Sequence, residues 1–320
     1  MSALLLTFTT KNPKQGVTEY MELSVNIDNL FSRFSLEKSI EIYKNAGMTA
    51  IDYNLDEMVK NPDSAFNTDA YRKEAQRVRK AVEESGLRIN QTHAPFHFKN
   101  WDDEEHYKSV IYSTILRSIE ISAMLGAKVA VVHPLHHRVY HGHEEEIFRL
   151  NMDFYRSLIP YCREWGIKVG VENMWQTDLR RNHIVFDTCG TKEEFVRYID
   201  TLDSEYMVAT LDNGHVGLPL GDDEAWDFIR VLGHDRLKSL HVHDNDYRSD
   251  MHALPFYGRI DWNEVTRALG EIDYDGDFTY EVKFHGNTPD GFVQTAANYM
   301  ADVGRYLIDR IDSCRSERRA

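Results

Sequence analysis

The chain has 320 residues, 42% of them hydrophobic and 28% charged, and its 37 basic and 52 acidic side chains give a formal net charge of −15. That length suits one large α/β domain, and the acidic balance argues against broad nucleic-acid binding, which needs a basic footprint. Cys162, Cys189 and Cys314 form no CxxC pair, and no apolar run is long enough to span a bilayer, so reduced thiols and a cytoplasmic, membrane-free protein are expected.

In chain order, residues 1–20 precede the first strand signal and are expected to be an N-terminal extension that frays or forms a lid strand. Eight short β-branched runs follow, at 21–27, 49–55, 87–93, 128–133, 167–172, 207–212, 237–241 and 278–282. Stretches of helical period separate them. In 145–165, Phe148, Tyr155, Leu158, Cys162 and Trp165 share one face, and Gly166 supplies the stop. Thr191 and Glu194 predict a capping box, while Asp222-Asp223-Glu224 and Asp261-Trp262-Asn263-Glu264 place acids at positive helix ends.

The last helix is expected from about 291 to 311, with Phe292, Ala296, Tyr299, Val303 and Leu307 on one face and 312–320 as a flexible tail. No linker divides 21–311, and no GxGxxG follows the first strand. Eight βα units therefore predict a single-domain (β/α)8 TIM barrel.

Six of the eight strands end in a side chain able to hold a metal: His93, His133, Glu172, Asp212, His241 and Glu281. In a closed barrel these ends converge on the mouth, where barrel enzymes keep their active sites. For one histidine alone, a hydrogen-bonded place on the rim is the commoner explanation; the joint pattern carries the reading. A buried carboxylate is costly unless it is paired or bound to a cation. Glu172, Asp212 and Glu281 with His241 are therefore expected to bind one divalent ion, Mn²⁺ foremost, with Mg²⁺, Co²⁺ or Zn²⁺ also suited. The lack of thiolates argues against a structural zinc. His136, His137, His141 and His143 lie in a polar loop and are expected to face solvent, and Glu144-Glu145-Glu146 reads as a helix start.

These residues resemble the xylose isomerase-like barrel superfamily, which groups sugar and sugar-phosphate isomerases and epimerases with endonuclease IV. The resemblance covers residues 21 to about 310. It rests on His93-Ala94-Pro95, His133-Pro134, Glu172-Asn173, Asp212-Asn213-Gly214-His215, His241-Val242-His243-Asp244, Asp250-Met251-His252 and Glu281. It implies a metal-dependent isomerase or epimerase of a sugar or sugar phosphate, working through an enediolate, with Glu172 and Glu281 moving the protons. His93, His133, His215, Arg248 and His252 are the expected substrate contacts, Lys283 a lining residue, and Trp101, Trp175 and Phe256 an apolar wall. A small sugar is the implied partner, and a homo-oligomer is in keeping with the group.

Two other activities fit the same resemblance. One is an endonuclease IV-like trinuclear zinc phosphodiesterase on abasic DNA, with His93, His133, His215, Asp250 and His252 as added ligands. Against it, Asp212-Asn213-Gly214-His215 replaces the Asp-Thr-Cys-His of that enzyme, and Asn173-Met174-Trp175 replaces its Thr-Ala-Gly. Arg180-Arg181 suit either a phosphate or the surface. The other is a dehydratase or lyase acting on an inosose or an oxidised glycoside.

Overall fold

In the computed structural model, which describes residues 21–319 apart from Ser32, His97, 99–101, 136–138 and 284–287, every expected strand forms. The strands are β1 (Leu23–Asn26), β2 (Ala50–Asn54), β3 (Arg88–His93), β4 (Val129–Val132), β5 (Lys168–Glu172), β6 (Trp175–Asp178), β7 (His183–Phe186), β8 (Met207–Asp212), β9 (Leu237–His241) and β10 (Phe278–Tyr280). β6 and β7 make a separate antiparallel hairpin. The other eight form one sheet in the order β10-β1-β2-β3-β4-β5-β8-β9, with every hydrogen-bonded pair parallel. The circle closes beyond β9, where Val242 N donates to Thr279 O at 2.8 Å and Glu281 N to Val242 O at 3.1 Å.

Parallel neighbours need long crossovers, and here a helix follows each barrel strand. These are α1 (Leu36–Ala46), α2 (Tyr71–Ser85), α3 (Ser113–Leu125), α4 (Glu144–Trp165), α5 (Lys192–Leu202), α6 (Ala225–Arg236), α7 (Trp262–Glu271) and α8 (Val293–Arg319). The chain is a single (β/α)8 barrel. Its strands are buried on both faces, as a helix-covered parallel sheet requires.

The barrel interior is partly polar and satisfies itself. Ser24 Oγ donates to Asn90 Oδ1 at 2.7 Å, and Asn90 Nδ2 to Thr279 Oγ1 at 2.8 Å. A Cβ at Gly170 would lie 2.0 Å from Thr210 Oγ1, so only glycine lets β5 and β8 approach at that layer. Gly166 ends α4 with a φ of 67°, as the sequence predicts.

Three local expectations change. Thr191 caps α5 by accepting from Glu194 N at 3.3 Å, but Glu194 does not complete the box. Its carboxylate instead accepts from Cys189 N at 3.0 Å and from the Tyr140 hydroxyl, and burial pushes it up to about 7. The reciprocal box lies on α6, between Glu224 and Asp227.

α8 also runs on past 311 to Arg319, where a flexible tail is expected from 312. Arg315 holds that turn by pairing with Asp273 at 2.8 Å and Asp312 at 2.7 Å, and Cys314 packs on Gly270, where a Cβ would come within 2.7 Å of it. The hairpin β6–β7 is the third change, two strands beyond the eight that the sequence predicts. The expected N-terminal extension lies outside the described residues. Among the described residues no helix is long and apolar enough to cross a membrane.

Candidate metal centre

The strand ends at the mouth are tied to one another by asparagines. Asn173, just beyond β5, donates from Nδ2 to Asp212 O at 2.9 Å and accepts from Asp212 N at 2.8 Å. Asn213, just beyond β8, repeats this with His243, at 2.9 Å to its carbonyl and 3.1 Å from its N–H. Each side-chain amide thus continues the ladder where diverging backbones no longer pair, and a buried backbone group left unpaired would be costly. Gly214 makes room for this, since a Cβ there would lie 1.9 Å from His243 Cε1.

The loop after β9 is anchored by Asp244. Its carboxylate is fully buried and accepts from Phe256 N at 2.9 Å, Ile260 N at 3.2 Å and Trp262 Nε1 at 2.9 Å. This fixes both ends of the segment that brings Asp250 and His252 back over the barrel.

On this frame, Glu172, Asp212, His241 and Glu281 each present a ligand atom within 4.8 Å of the other three. His241 Nδ1 lies 3.0 Å from Glu172 Oε1 and 3.5 Å from Glu281 Oε2. On one side, His133 Nε2 and His93 Nε2 stand 2.7 and 3.6 Å from Glu172 Oε2. On the other side, His243 Nε2 lies 3.0 Å from Asp212 Oδ1, and His215 Nε2 lies 3.5 Å from Asp212 Oδ2. Asp250 Oδ2 completes that side, 3.1 Å from His252 Nε2 and 3.7 Å from His215 Nε2. Every strand-end residue the sequence points to reaches this cluster, and so do His215, Asp250 and His252.

Among the described residues, the positive partners of Glu172, Asp212 and Glu281 are imidazoles alone. Burial opposes the charges, but the groups' attraction for one another overcomes it. Against burial, His241 and His133 hold Glu172 well below the usual carboxylate range, and His215 and His243 bring Asp212 to about 2. Reciprocally, Glu172 lifts His93 to about 9, and Asp212 with Asp250 lifts His215 to about 10. A proton on an imidazole and a metal ion at its nitrogen are alternative ways to neutralise such a set.

The donor set fits a divalent ion. It combines carboxylate oxygens with imidazole nitrogens and has no thiolate. His215 Nδ1 lies 2.8 Å from Asn173 O and His252 Nδ1 2.8 Å from Glu281 O, which turns the Nε2 lone pair of each neutral ring inward. Among the described residues, His241 Nε2, His243 Nδ1 and Asp250 Oδ1 are buried without a hydrogen-bond partner.

Asp52 escapes the sequence reading. It sits in the middle of β2, fully buried, with Oδ2 3.7 Å from His241 Nε2 and 3.3 Å from Gln91 Nε2. Burial pushes its carboxyl up, with His241 acting against that shift. Because His241 turns Nδ1 toward Glu172 and Glu281, Asp52 stands behind the ring's other nitrogen. The only sequence signal is a lone acid inside an apolar run, Ile51-Asp52-Tyr53. His243 is likewise without a role in the sequence reading, although its motif is recognised there.

A cavity of about 620 Å³ opens above the cluster, lined by His93, His133, Glu172, His215, His252 and Glu281 on the ligand side, with Trp175 and Lys283 also at its wall. Arg248 does not line it: the side chain is exposed, and its N–H donates to Asp246 Oδ1 in a turn. Phe256 is 52% exposed, meets Tyr306 of α8 edge to face, and is not among the residues that line the cavity. Arg181 pairs with Asp178 on the hairpin, and His141 is exposed, as expected. Trp101, His97, His136, His137 and His285 lie outside the described residues.

A barrel whose mouth gathers these groups has a donor set able to hold a divalent ion, and comparison with known proteins places the barrel in a family. The xylose isomerase-like TIM barrel family matches residues 40–303, and the chain belongs to that family. The uncharacterized protein y4fM of Sinorhizobium fredii is 24% identical over 276 residues, which is 77% of this chain and 80% of that protein. The D-psicose 3-epimerase of Enterocloster bolteae is 25% identical over 156 residues, 48% of this chain and 47% of that protein. A solved D-tagatose 3-epimerase-like protein superposes with a TM-score of 0.69 at 22% identity, covering 94% of this chain and all of that one.

Proposed function

We propose that this protein is a divalent-metal-dependent sugar isomerase or epimerase. The observation that carries the reading is the meeting of Glu172, Asp212, His241 and Glu281 within 4.8 Å, with Glu172 and Glu281 also facing the 620 Å³ cavity. Similarity to sugar epimerases supports it.

A divalent ion held by these four residues would supply Lewis-acid polarisation of a carbonyl and so acidify the neighbouring C–H. The protein does the rest. Glu172 and Glu281 flank His241 and serve as the proton-transfer pair: one carboxylate takes the proton from the carbon beside the carbonyl. Delivery of a proton already carried by the other carboxyl, at the opposite face of that carbon, inverts it; delivery at the adjacent carbon, with a proton passing between the two oxygens, interconverts aldose and ketose. His215 and His252, with their Nδ1 atoms tied to backbone carbonyls, hold fixed imidazole edges against substrate oxygens, and Trp175 covers an apolar sugar face. Mn²⁺ is the ion we assign.

A panel of ketoses incubated in heavy water with the Mn²⁺-loaded protein tests the reading. Metal-dependent deuterium incorporation beside the carbonyl is expected; none across the panel overturns it.

One observation favours a second reading. His93, His133 and Glu172 form another close ligand group, and so do His243, Asp250 and His252. Such a layout could hold more than one ion, as phosphodiester hydrolysis by a trinuclear centre demands. The described cavity wall bears two lysines and no arginine, and of the lysines Lys60 is paired with Asp56 at 2.9 Å, which suits a phosphodiester poorly. Metal analysis separates the two: about three ions per chain favours hydrolysis, and one favours the isomerase.

A further inference from the structure

The cavity extends well beyond the metal ligands, and its far wall is built from a repeated device. Strands β1 and β2, neighbours in the sheet, both run out into an Asn-aliphatic-Asp triplet, Asn26-Ile27-Asp28 and Asn54-Leu55-Asp56. In each, the asparagine Oδ1 accepts from the N–H of the aspartate two residues on, at 2.9 Å for Asp28 and 2.7 Å for Asp56. The aliphatic residue between them is fully buried. This turn pins the carboxamide by its oxygen and leaves the amide nitrogen free.

All four polar residues line the cavity. Asn26 is 3% exposed, and its amide nitrogen has no hydrogen-bond partner among the described residues. Asn54 is half-buried, and its amide nitrogen also has no hydrogen-bond partner among the described residues. The Asp28 carboxylate likewise makes no hydrogen bond or ion pair among the described residues, and burial pushes it above the usual carboxylate range. Asp56 is engaged, accepting from Phe96 N at 3.0 Å and pairing with Lys60.

We propose that Asn26–Asp28 and Asn54–Asp56 form a hydroxyl-binding subsite that holds the part of a neutral, polyhydroxylated substrate remote from the reacting carbon. A sugar hydroxyl both donates and accepts, and this wall offers a fixed amide donor and a carboxylate acceptor side by side. A phosphate group, largely dianionic at neutral pH, has almost no hydrogen to give the carboxylates and meets their charge instead. Among the described residues, Lys60 is already neutralised by Asp56 and the wall has no guanidinium fork to receive a phosphate, which leaves Lys283 as its other cation. The subsite thus selects free sugars or glycosides over sugar phosphates. This inference rests on the mouth being a sugar site and adds the substrate class to it.

Calorimetric titration of the full chain, with and without Mn²⁺, against the free D-ketohexoses and their 6-phosphate esters tests it. Free sugars should bind at least about tenfold more tightly than their esters, and Asp28→Asn should weaken the free sugars about tenfold while leaving Mn²⁺ affinity unchanged. Esters binding as tightly as free sugars, no binding of any free sugar, or an unaltered affinity in D28N overturns the subsite. If this pattern holds while deuterium exchange is absent, the proposed reaction fails and the subsite stands.

Discussion

At the ends of β5, β8, β9 and β10 the mouth presents carboxylates and imidazoles within 4.8 Å of one another, whereas at the ends of β1 and β2 it presents amides and carboxylates along an open wall. Both regions place an acid at the rim. In the first, Glu172 and Asp212 are buried, Glu281 is half-buried, and all three stand among imidazoles. In the second, Asn26 and Asn54 lend their oxygens to backbone turns, Asp56 takes a lysine, and Asp28 faces the cavity without a partner among the described residues. Acids crowded together around imidazoles suit a cation. An acid set singly beside an amide donor suits a hydroxyl group.

Substitutions can break this division, and the largest effect is expected on the cation side. Glu281→Gln keeps the shape but removes a proton acceptor, so deuterium exchange should fall by about 10²–10⁴-fold. Exchange that survives in E281Q would shift the chemistry away from this half of the mouth.

Next in size is Asp52→Asn, which touches neither cavity nor ligand cluster directly except through His241. Metal affinity should drop about 10–100-fold, as for other carboxylates behind a ligating histidine, while activity at saturating metal is largely kept. Equilibrium dialysis and a metal-dependence curve measure the two parts separately; unchanged affinity would reduce Asp52 to a packing role.

Acidity offers a third test, confined to the cation side. In the metal-free protein His93 holds its proton to about pH 9 and His215 to about pH 10, both above their ordinary values. Two consequences follow. The stability these ion pairs contribute is fully present below about pH 6.5 and is lost as the pH rises toward 9–10. Metal uptake displaces such protons, so affinity should rise by about tenfold per pH unit for each proton released, up to that range. Calorimetry in buffers of different ionisation heat counts the protons, and a count of zero contradicts the scheme.

The smallest effect sharpens the comparison from the other side. Asp28→Asn should leave the pH dependence of metal uptake where it is in the wild type. A shift in that curve, read by the same calorimetry, would mean that the two regions are electrostatically one site.

The barrel and the cation side were largely legible because both are written at strand ends. An apolar run closing on Glu172, Asp212 or His241 is visible in one dimension, and parallel strands bring all such ends to one face. Asp52 was not legible for the opposite reason: it lies mid-strand, where alternation makes a polar residue look like part of the barrel filling. Each Asn-x-Asp triplet reads in sequence as an ordinary turn, and only the adjacency of β1 and β2 makes the two a wall. Arg248 has nothing in the sequence but its loop to direct it to the mouth, and the Asp246 turn leaves it outside the cavity. Helix α8 outran its predicted end because the residues that hold it, Asp273 and Gly270, belong to another part of the chain.

The asparagine ties at Asn173 and Asn213 bear on how the protein acquires its ion. They hold the ends of β5, β8 and β9 together by hydrogen bonds that need no metal. A zinc finger, by contrast, gains its fold from the ion and loses it to a chelator. Here the ligand frame is expected to outlast the ion, so metals can be stripped and exchanged in the folded state. Which metal occupies the site is then a matter of what the surroundings supply and how tightly each competitor binds, rather than of which ion was present when the chain folded.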